Sequence, residues 1–266
     1  KTLAIQKFSL PPLERQKEIL EVLEKVKDCS ILTNDSRKSI FLFKKVFSNH
    51  CLTHGIDHTE YKQTEIGKLP APWKLIKLRD ASVIITKGIT PTTVGYDYLK
   101  SGVSFVKGEC INEYGNFDTS QLAYISEEAH KALKRSQLSV NDVLLTIAGT
   151  IGKVAIVNDK ILPANTNQAI AIIRVNPEIF FNEYLFHFLE STYIIKHLNG
   201  IKTIGAQSNI SLTQVGNFIL PVPPLDEQIG IVDMINQARS IQLWLEKKAS
   251  NNSLLSQNIF KKFWDL

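Results

Sequence analysis

The chain has 266 residues, 44% of them hydrophobic, with 31 Lys and Arg against 26 Asp and Glu for a formal net charge of +5. That is enough apolar material for a packed core and one or two domains, while no apolar run approaches the roughly 20 residues that span a bilayer, so no membrane partner is expected. The cysteines Cys29, Cys51 and Cys110 share no CxxC spacing, which speaks against a disulfide framework or a zinc ribbon and fits a reducing compartment, by default the cytoplasm. No basic-then-apolar leader opens the chain, and because its first residue is Lys1 the natural start is expected further upstream.

The positive charge is not concentrated. Lys and Arg stand against Asp and Glu as 12 to 9 over residues 1–71, 14 to 12 over 72–220 and 5 to 5 over 221–266. Phosphate binding needs clustered cations, so charge alone is a weak argument for nucleic acid.

In chain order, the first signal is "FSLPPLERQKEIL" at 8–20, which returns as "LPVPPLDEQIGIV" at 220–232. Pro11 and Pro223, Leu13 and Leu225, Gln16 and Gln228, and Ile19 and Ile231 are all 212 residues apart. Farther on, Phe43-Lys44-Lys45-Val46-Phe47 matches Phe260-Lys261-Lys262-Phe263-Trp264 at an offset of 217. Such spacing is far beyond solenoid periods and marks a duplicated module with something domain-sized between the copies. In each copy prolines end an extended segment and admit a first helical turn, and Glu14 or Asp226 with Glu227 then meets the positive end of the helix dipole.

Apolar residues follow at helical spacing. Copy one places Ile19, Val22, Leu23, Val26, Cys29, Ile40, Phe43 and Phe47 on one stripe; copy two places Ile231, Ile235, Ala238, Ile241, Leu245, Leu255, Ile259 and Phe263. Each predicts a helix of roughly 35 residues, about 50 Å long, the first over about 12–50. A one-sided helix of that length needs a partner, and the simplest is the other copy, run antiparallel as a coiled coil. Leu23 and Val26 are expected to face Ile235 and Ala238. The five-residue difference between the offsets predicts a kink or stutter in one helix. The competing reading is two ordinary amphipathic helices on a globular core.

Between the copies, "IGKLPAPWKLIKL" is a turn-rich boundary with Trp73 as a core anchor at the entrance. Strand signals then alternate with helix signals: strands at 82–86, 104–106, 143–147, 154–157 and 169–175, helices at 126–135 and 181–197. This predicts one mixed α/β domain over 61–220, flanked by a helical spacer at 1–60 and another at 221–266. Glycine-containing polar loops punctuate it, "TKGITPT", "KGECINEYGN", "IAGTIGK" and "IKTIGAQSN", and such loops are where recognition tends to sit.

The blocks "PAPWKLIKLRD", "LSVNDVLLTIAGTIGKVAIV", "ANTNQAIAIIRV", "YLFHFL" and "SNISLTQVGNFILPVPPLDEQIGIV", in that order, resemble the specificity subunit of type I restriction-modification enzymes across essentially the whole chain. That family alternates two target recognition domains with two conserved helical spacers, so each repeated phrase would close one recognition domain and open one spacer. The resemblance implies central spacer, second recognition domain and distal spacer, with residues 1–10 as the tail of a first recognition domain whose body is absent. Arg15 stands where the family usually has Glu, whereas Glu227 keeps the acid. The resemblance further implies a non-catalytic subunit that reads one half of a bipartite target in double-stranded DNA. Its partners would be modification (methyltransferase) subunits and a restriction subunit, with S-adenosylmethionine on the modification subunit and no cofactor on this chain.

Base reading in the major groove needs amides, cations and hydroxyls, while Lys, Ser and Thr suffice for phosphates. The loops supply Lys87, Thr90, Thr92 and Thr93; then Lys107, Asn112, Tyr114 and Asn116; then Lys153; and finally Lys202, Thr203, Gln207 and Ser208.

Other chemistry finds little support. In "GTIGK" the glycines are too close for a P-loop and Val154 replaces the magnesium-binding hydroxyl, so a tight turn between strands is expected. His50, His54 and His58 have the spacing of metal ligands on a helix, but Gly55 interrupts them where the first helix should end, which predicts exposed linker histidines. No adenine-methyltransferase motif or nuclease-like cluster is found. The alternatives kept open are a protein-interaction scaffold with a coiled-coil dimerisation arm and a fragment of an enzyme lacking its catalytic half.

Overall fold

The computed structural model describes residues 12–204 and 209–264. It divides into two compact units. One joins the first long helix as far as Val46 with the second from Asn236 onward, and the other spans Phe47–Ile235.

Helix α1, Leu13–His54, has 42 residues and α7, Leu225–Trp264, has 40, each an uninterrupted α-helix of about 60 Å. Both outrun the expected 35 residues. Gly55 ends α1: its φ of 67° is left-handed, and its N–H donates to Cys51 O at 3.0 Å. The last turns of α1 and the first turns of α7 lie in one core, which includes Cys51, Leu52, Ile231, Val232 and Ile235. The two compact units divide inside the helices, at 46/47 and 235/236.

Along the expected seam, Ile231 and Ile235 are fully buried, in a cluster that also holds Cys51 and Leu52 from the end of α1. Farther along α7, Ala238 and Gln242 are buried and Leu245 is half-buried, while Ile241 is 51% exposed. Steps of three and four must alternate to stay on one face, so after 235 to 238 the next inward position is 242 and not 241. On α1 the half-buried positions include Val22, Ile40, Lys44 and Phe47, and Phe43 is 52% exposed for the same reason of phase. Backbone positions Ile19, Leu23 and Val26 are helical; their side chains lie outside the described set.

The globular unit starts with a hairpin of β1 (Tyr61–Thr64) and β2 (Gly67–Pro70), then β3 (Lys74–Lys77), α2 (Leu78–Ala81) and β4 (Ser82–Lys87). Next come β5 (Val103–Val106), β6 (Ala123–Ile125), α3 (Glu127–Ala132), β7 (Val143–Thr146), β8 (Val154–Ile156), β9 (Ala164–Thr166) and β10 (Ile170–Val175). The unit closes with α4 (Asn182–Leu189), α5 (Thr192–Ile204), α6 (Leu212–Gly216) and β11 (Ile219–Val222), which pairs antiparallel with β3.

The central sheet has the order β4-β10-β7-β8, all antiparallel. Its inner strands read as continuous apolar runs because both faces are covered. Val143, Leu145, Ala171 and Ile173 pack on one side with Leu185, Phe188 and Leu189 of α4, whereas Leu144, Ile170 and Ile172 pack on the other with Val106 and Ile111. A second sheet, β6-β5-β9, pairs β5 with β9 in parallel. Mixed α/β architecture with two long helices is therefore what the sequence predicted; the short strands β1, β2, β3, β6, β9 and β11 were not foreseen.

Trp73 is fully buried, and its indole Nε1 donates to Glu227 Oε2 at 2.9 Å. The expected exposed linker histidines are corrected in part. His50 is exposed, but His54 is half-buried, and His58 Nε2 lies 2.7 Å from Glu227 Oε1. Among the described residues no cluster of three or more metal-ligating side chains forms, and no helix is long and apolar enough to cross a membrane.

Candidate nucleic-acid interface

One end of the central sheet gathers the polar loops. β4 ends there at Lys87, opposite Ala171 of β10; β7 ends at Thr146, opposite Ile170; and β8 starts at Val154, opposite Leu145. The chain must therefore turn at this end in the segments 88–102, 147–153 and 167–169.

Backbone hydrogen bonds knit those turns together. Gly88 N–H donates to Asn167 O at 3.1 Å and Ile89 N–H to Thr166 O at 3.2 Å. Ile147 N–H and Ala148 N–H both donate to Ala169 O, at 2.8 and 3.3 Å. Ile210 N–H donates to Ile147 O at 2.8 Å, which ties the end of the fourth loop to the third. The second loop joins through Lys153, whose ammonium donates to Ile111 O at 2.5 Å. The first three sequence-predicted loops, with Asn209 and Ile210 at the end of the fourth, thus meet at one end of the sheet.

The third loop is a β-hairpin turn, with Gly149 at φ 67° and Gly152 at φ 100°. Thr146 closes it: the hydroxyl donates to Thr150 O at 2.5 Å and accepts from Lys153 N–H at 2.9 Å. A strand-turn-strand leaves no helix N-terminus to cradle phosphates, which disposes of the P-loop resemblance.

Individual side chains divide by what they already do. Lys87 is exposed at the strand end, and Thr92 and Thr93 are exposed on the 3-10 turn Pro91–Val94. Thr90 is half-buried, with its hydroxyl on Gln168 Oε1. The Lys107 ammonium lies 4.6 Å from the Tyr98 ring centroid and 4.0 Å from Glu109 Oε1. Burial, reinforced by the Glu109 carboxylate, raises the Tyr98 pKa.

Asn112, expected to present its amide to a base, uses its Oδ1 to brace its own loop. Its Oδ1 accepts from Tyr114 N–H at 2.9 Å and Asn116 N–H at 3.0 Å, the ordinary work of an asparagine in a turn. Tyr114 is half-buried and Asn116 exposed. Lys202 and Thr203 belong to the last turns of α5, their side chains outside the described set, and Gln207 and Ser208 lie outside the described residues altogether. Sequence reasoning missed Asn167 and Gln168. The signal was present in "ANTNQAIAIIRV", a polar run between two strands.

The Type I restriction modification DNA specificity domain family matches residues 70–255. The chain belongs to that family. This specificity-domain chain is 30% identical over 177 residues to the Type I restriction enzyme EcoBI specificity subunit of Escherichia coli, covering 62% of this chain and 35% of that protein. It is 24% identical over 268 residues to the Type I restriction enzyme MjaVIII specificity subunit of Methanocaldococcus jannaschii, covering 95% of this chain and 62% of the relative. Its fold is similar to the crystal structure of the HsdS subunit from Thermoanaerobacter tengcongensis, with a TM-score of 0.63 at 19% identity over 97% of this chain and 60% of that one. The specificity-domain chain thus spans from 35% to 62% of the length of these curated relatives.

Proposed function

We propose that this chain is the sequence-reading part of a type I restriction-modification complex: its globular unit reads one half of a bipartite target in double-stranded DNA, and its long helices hold that reader at a set distance from the other half. The observation that carries the reading is the convergence of the polar loops on one end of the central sheet in a chain of this family. Lysines there supply phosphate contacts, and amides and hydroxyls supply base contacts. The chain itself is non-catalytic. Methylation falls to modification subunits that carry S-adenosylmethionine, cleavage to a restriction subunit, and the assembly works in the cytoplasm. Docking of those partners on the helices is supported by exposed apolar side chains there, among them Leu32 at 69%, Leu42 at 61% and Trp244 at 58%.

The test is selection of bound duplexes from a randomised library by the chain in complex with a modification subunit, with affinity then measured as salt is raised. A split consensus with one half set by this chain, and a steep fall in random-duplex affinity with salt, is the expected result. Retention of no preferred sequence, with binding indifferent to salt, favours a protein-interaction scaffold and overturns the proposal.

A further inference from the structure

Gln168 stands at the tip of the β9–β10 connection, between two other loops of the cluster. Backbone bonds fix its neighbours on both sides: Asn167 O accepts from Gly88, and Ala169 O accepts from Ile147 and Ala148. Within the tip, Asn167 Oδ1 accepts from Ala169 N–H at 3.0 Å, so the turn is internally braced as well. The Gln168 side chain is exposed. An exposed glutamine ordinarily samples many rotamers and loses that freedom on binding. Here the Thr90 hydroxyl donates to Gln168 Oε1 and holds the amide in one orientation.

That bond occupies one lone pair of Oε1. Among the described residues nothing takes up the second lone pair or either Nε2 hydrogen. An acceptor and a donor side by side match the N6 amino group and N7 of adenine in the major groove. Asn112, the other amide expected to read a base, spends its oxygen on two backbone N–H groups of its own loop.

We infer that Gln168 is a base-reading residue whose ligand is an adenine edge in the major groove, and that Thr90 is a positioning residue that presents its amide. This rests on the DNA-recognition reading above and names a specificity determinant within it.

The test uses the full chain with its modification subunit, duplex selection from a randomised library, and affinities for the selected and for random duplexes. Gln168→Ala is expected to abolish preference at a single A·T pair, a loss on the order of 5- to 150-fold in discrimination, with random-duplex affinity nearly unchanged. Gln168→Glu keeps the acceptor for Thr90 and removes the donor, so it loses the same adenine preference. Thr90→Val weakens preference at that same pair, and Thr90→Ser, which restores the hydroxyl, recovers it; a purely structural role for Thr90 would leave the selected sequence unchanged. A Gln168→Ala chain that selects the parental sequence at every position overturns the inference while leaving the DNA-recognition reading intact. So does an equal loss on selected and random duplexes, which marks a phosphate contact. A parental chain with no sequence preference overturns the functional reading and this inference together.

Discussion

The indole Nε1 of Trp73 and Oε2 of Glu227, 154 residues apart in sequence, are joined by a hydrogen bond of 2.9 Å. The other carboxylate oxygen accepts from Ile56 N–H at 3.1 Å and lies 2.7 Å from His58 Nε2. One acid in the first turn of α7 thereby fastens the segment that follows α1 and the entrance of the globular unit. Glu227→Ala leaves the buried indole N–H and a backbone N–H without acceptors, at a cost of about 1–3 kcal/mol each. Urea unfolding is expected to show a clear loss of stability, and Glu227→Gln, which keeps one acceptor, a smaller one. Equal stability of wild type and Glu227→Ala would show that solvent replaces these bonds freely.

The repeated phrase made the long helices legible, because prolines, an acidic first turn and a one-sided stripe all agree at Leu13 and Leu225. Five strand signals in the middle also fell on observed strands, since β4, β5, β7, β8 and β10 are apolar enough to declare themselves. The short strands were invisible: three or four residues such as "ANT" or "GKLP" are too few for a period of two to stand out. The division of the compact units inside the long helices carries no local signal, because a helix that leaves a core keeps the same propensity on both sides of the exit; tertiary burial of Leu52 and Ile231 marks it instead. The loop cluster was found as four separate pieces, but Gln168 was missed, since which loop tips share an edge is set by strand order and not by local sequence.

Gln242 is the buried polar position that displaced Ile241 from the expected stripe. It is 3% exposed, its Nε2 donates to Glu246 Oε1 at 2.9 Å, and among the described residues its Oε1 has no hydrogen-bond partner. A buried acceptor without a donor is a net cost, and an apolar side chain of similar volume removes it. Gln242→Leu is expected to raise stability by roughly 1 kcal/mol, read as a higher denaturant midpoint at unchanged slope. A drop in stability would mean that the amide is satisfied by water.

His54 predicts a pH dependence. Partial burial lowers its pKa, and the neighbouring His50 ring, stacked at 4.2 Å, lowers it further when charged. The unfolded chain takes up a proton near the ordinary histidine value of about 6.5, while the folded chain resists until a lower pH. Between those points the unfolded state binds more protons, so stability falls as pH falls and is unaffected above the window. His54→Gln is expected to flatten the decline of the denaturant midpoint from about pH 6.5 downward and to leave the curve parallel to wild type above about pH 7.5. An unaltered acid slope would assign the decline to other groups.

Gly88 joins the fold to the proposed reading surface. A Cβ built on it would lie 1.9 Å from Thr166 O and 2.6 Å from Asn167 O, both backbone atoms with little room to yield. The close approach is what allows Gly88 N–H to reach Asn167 O and Ile89 N–H to reach Thr166 O. Gly88→Ala must therefore part the first loop from the β9–β10 tip, breaking both bonds and drawing Thr90 away from Gln168. Overpacking of this kind costs about 1–3 kcal/mol, which leaves a domain of ordinary stability folded. The expected signature is a modest fall in the unfolding midpoint together with a much larger loss of affinity for the selected duplex than for random duplex, because the lysines proposed to contact phosphates elsewhere on the loops keep their places. If selected and random duplexes weaken by the same factor, the two loops contribute to general DNA affinity and the register between them is not what sets the sequence read.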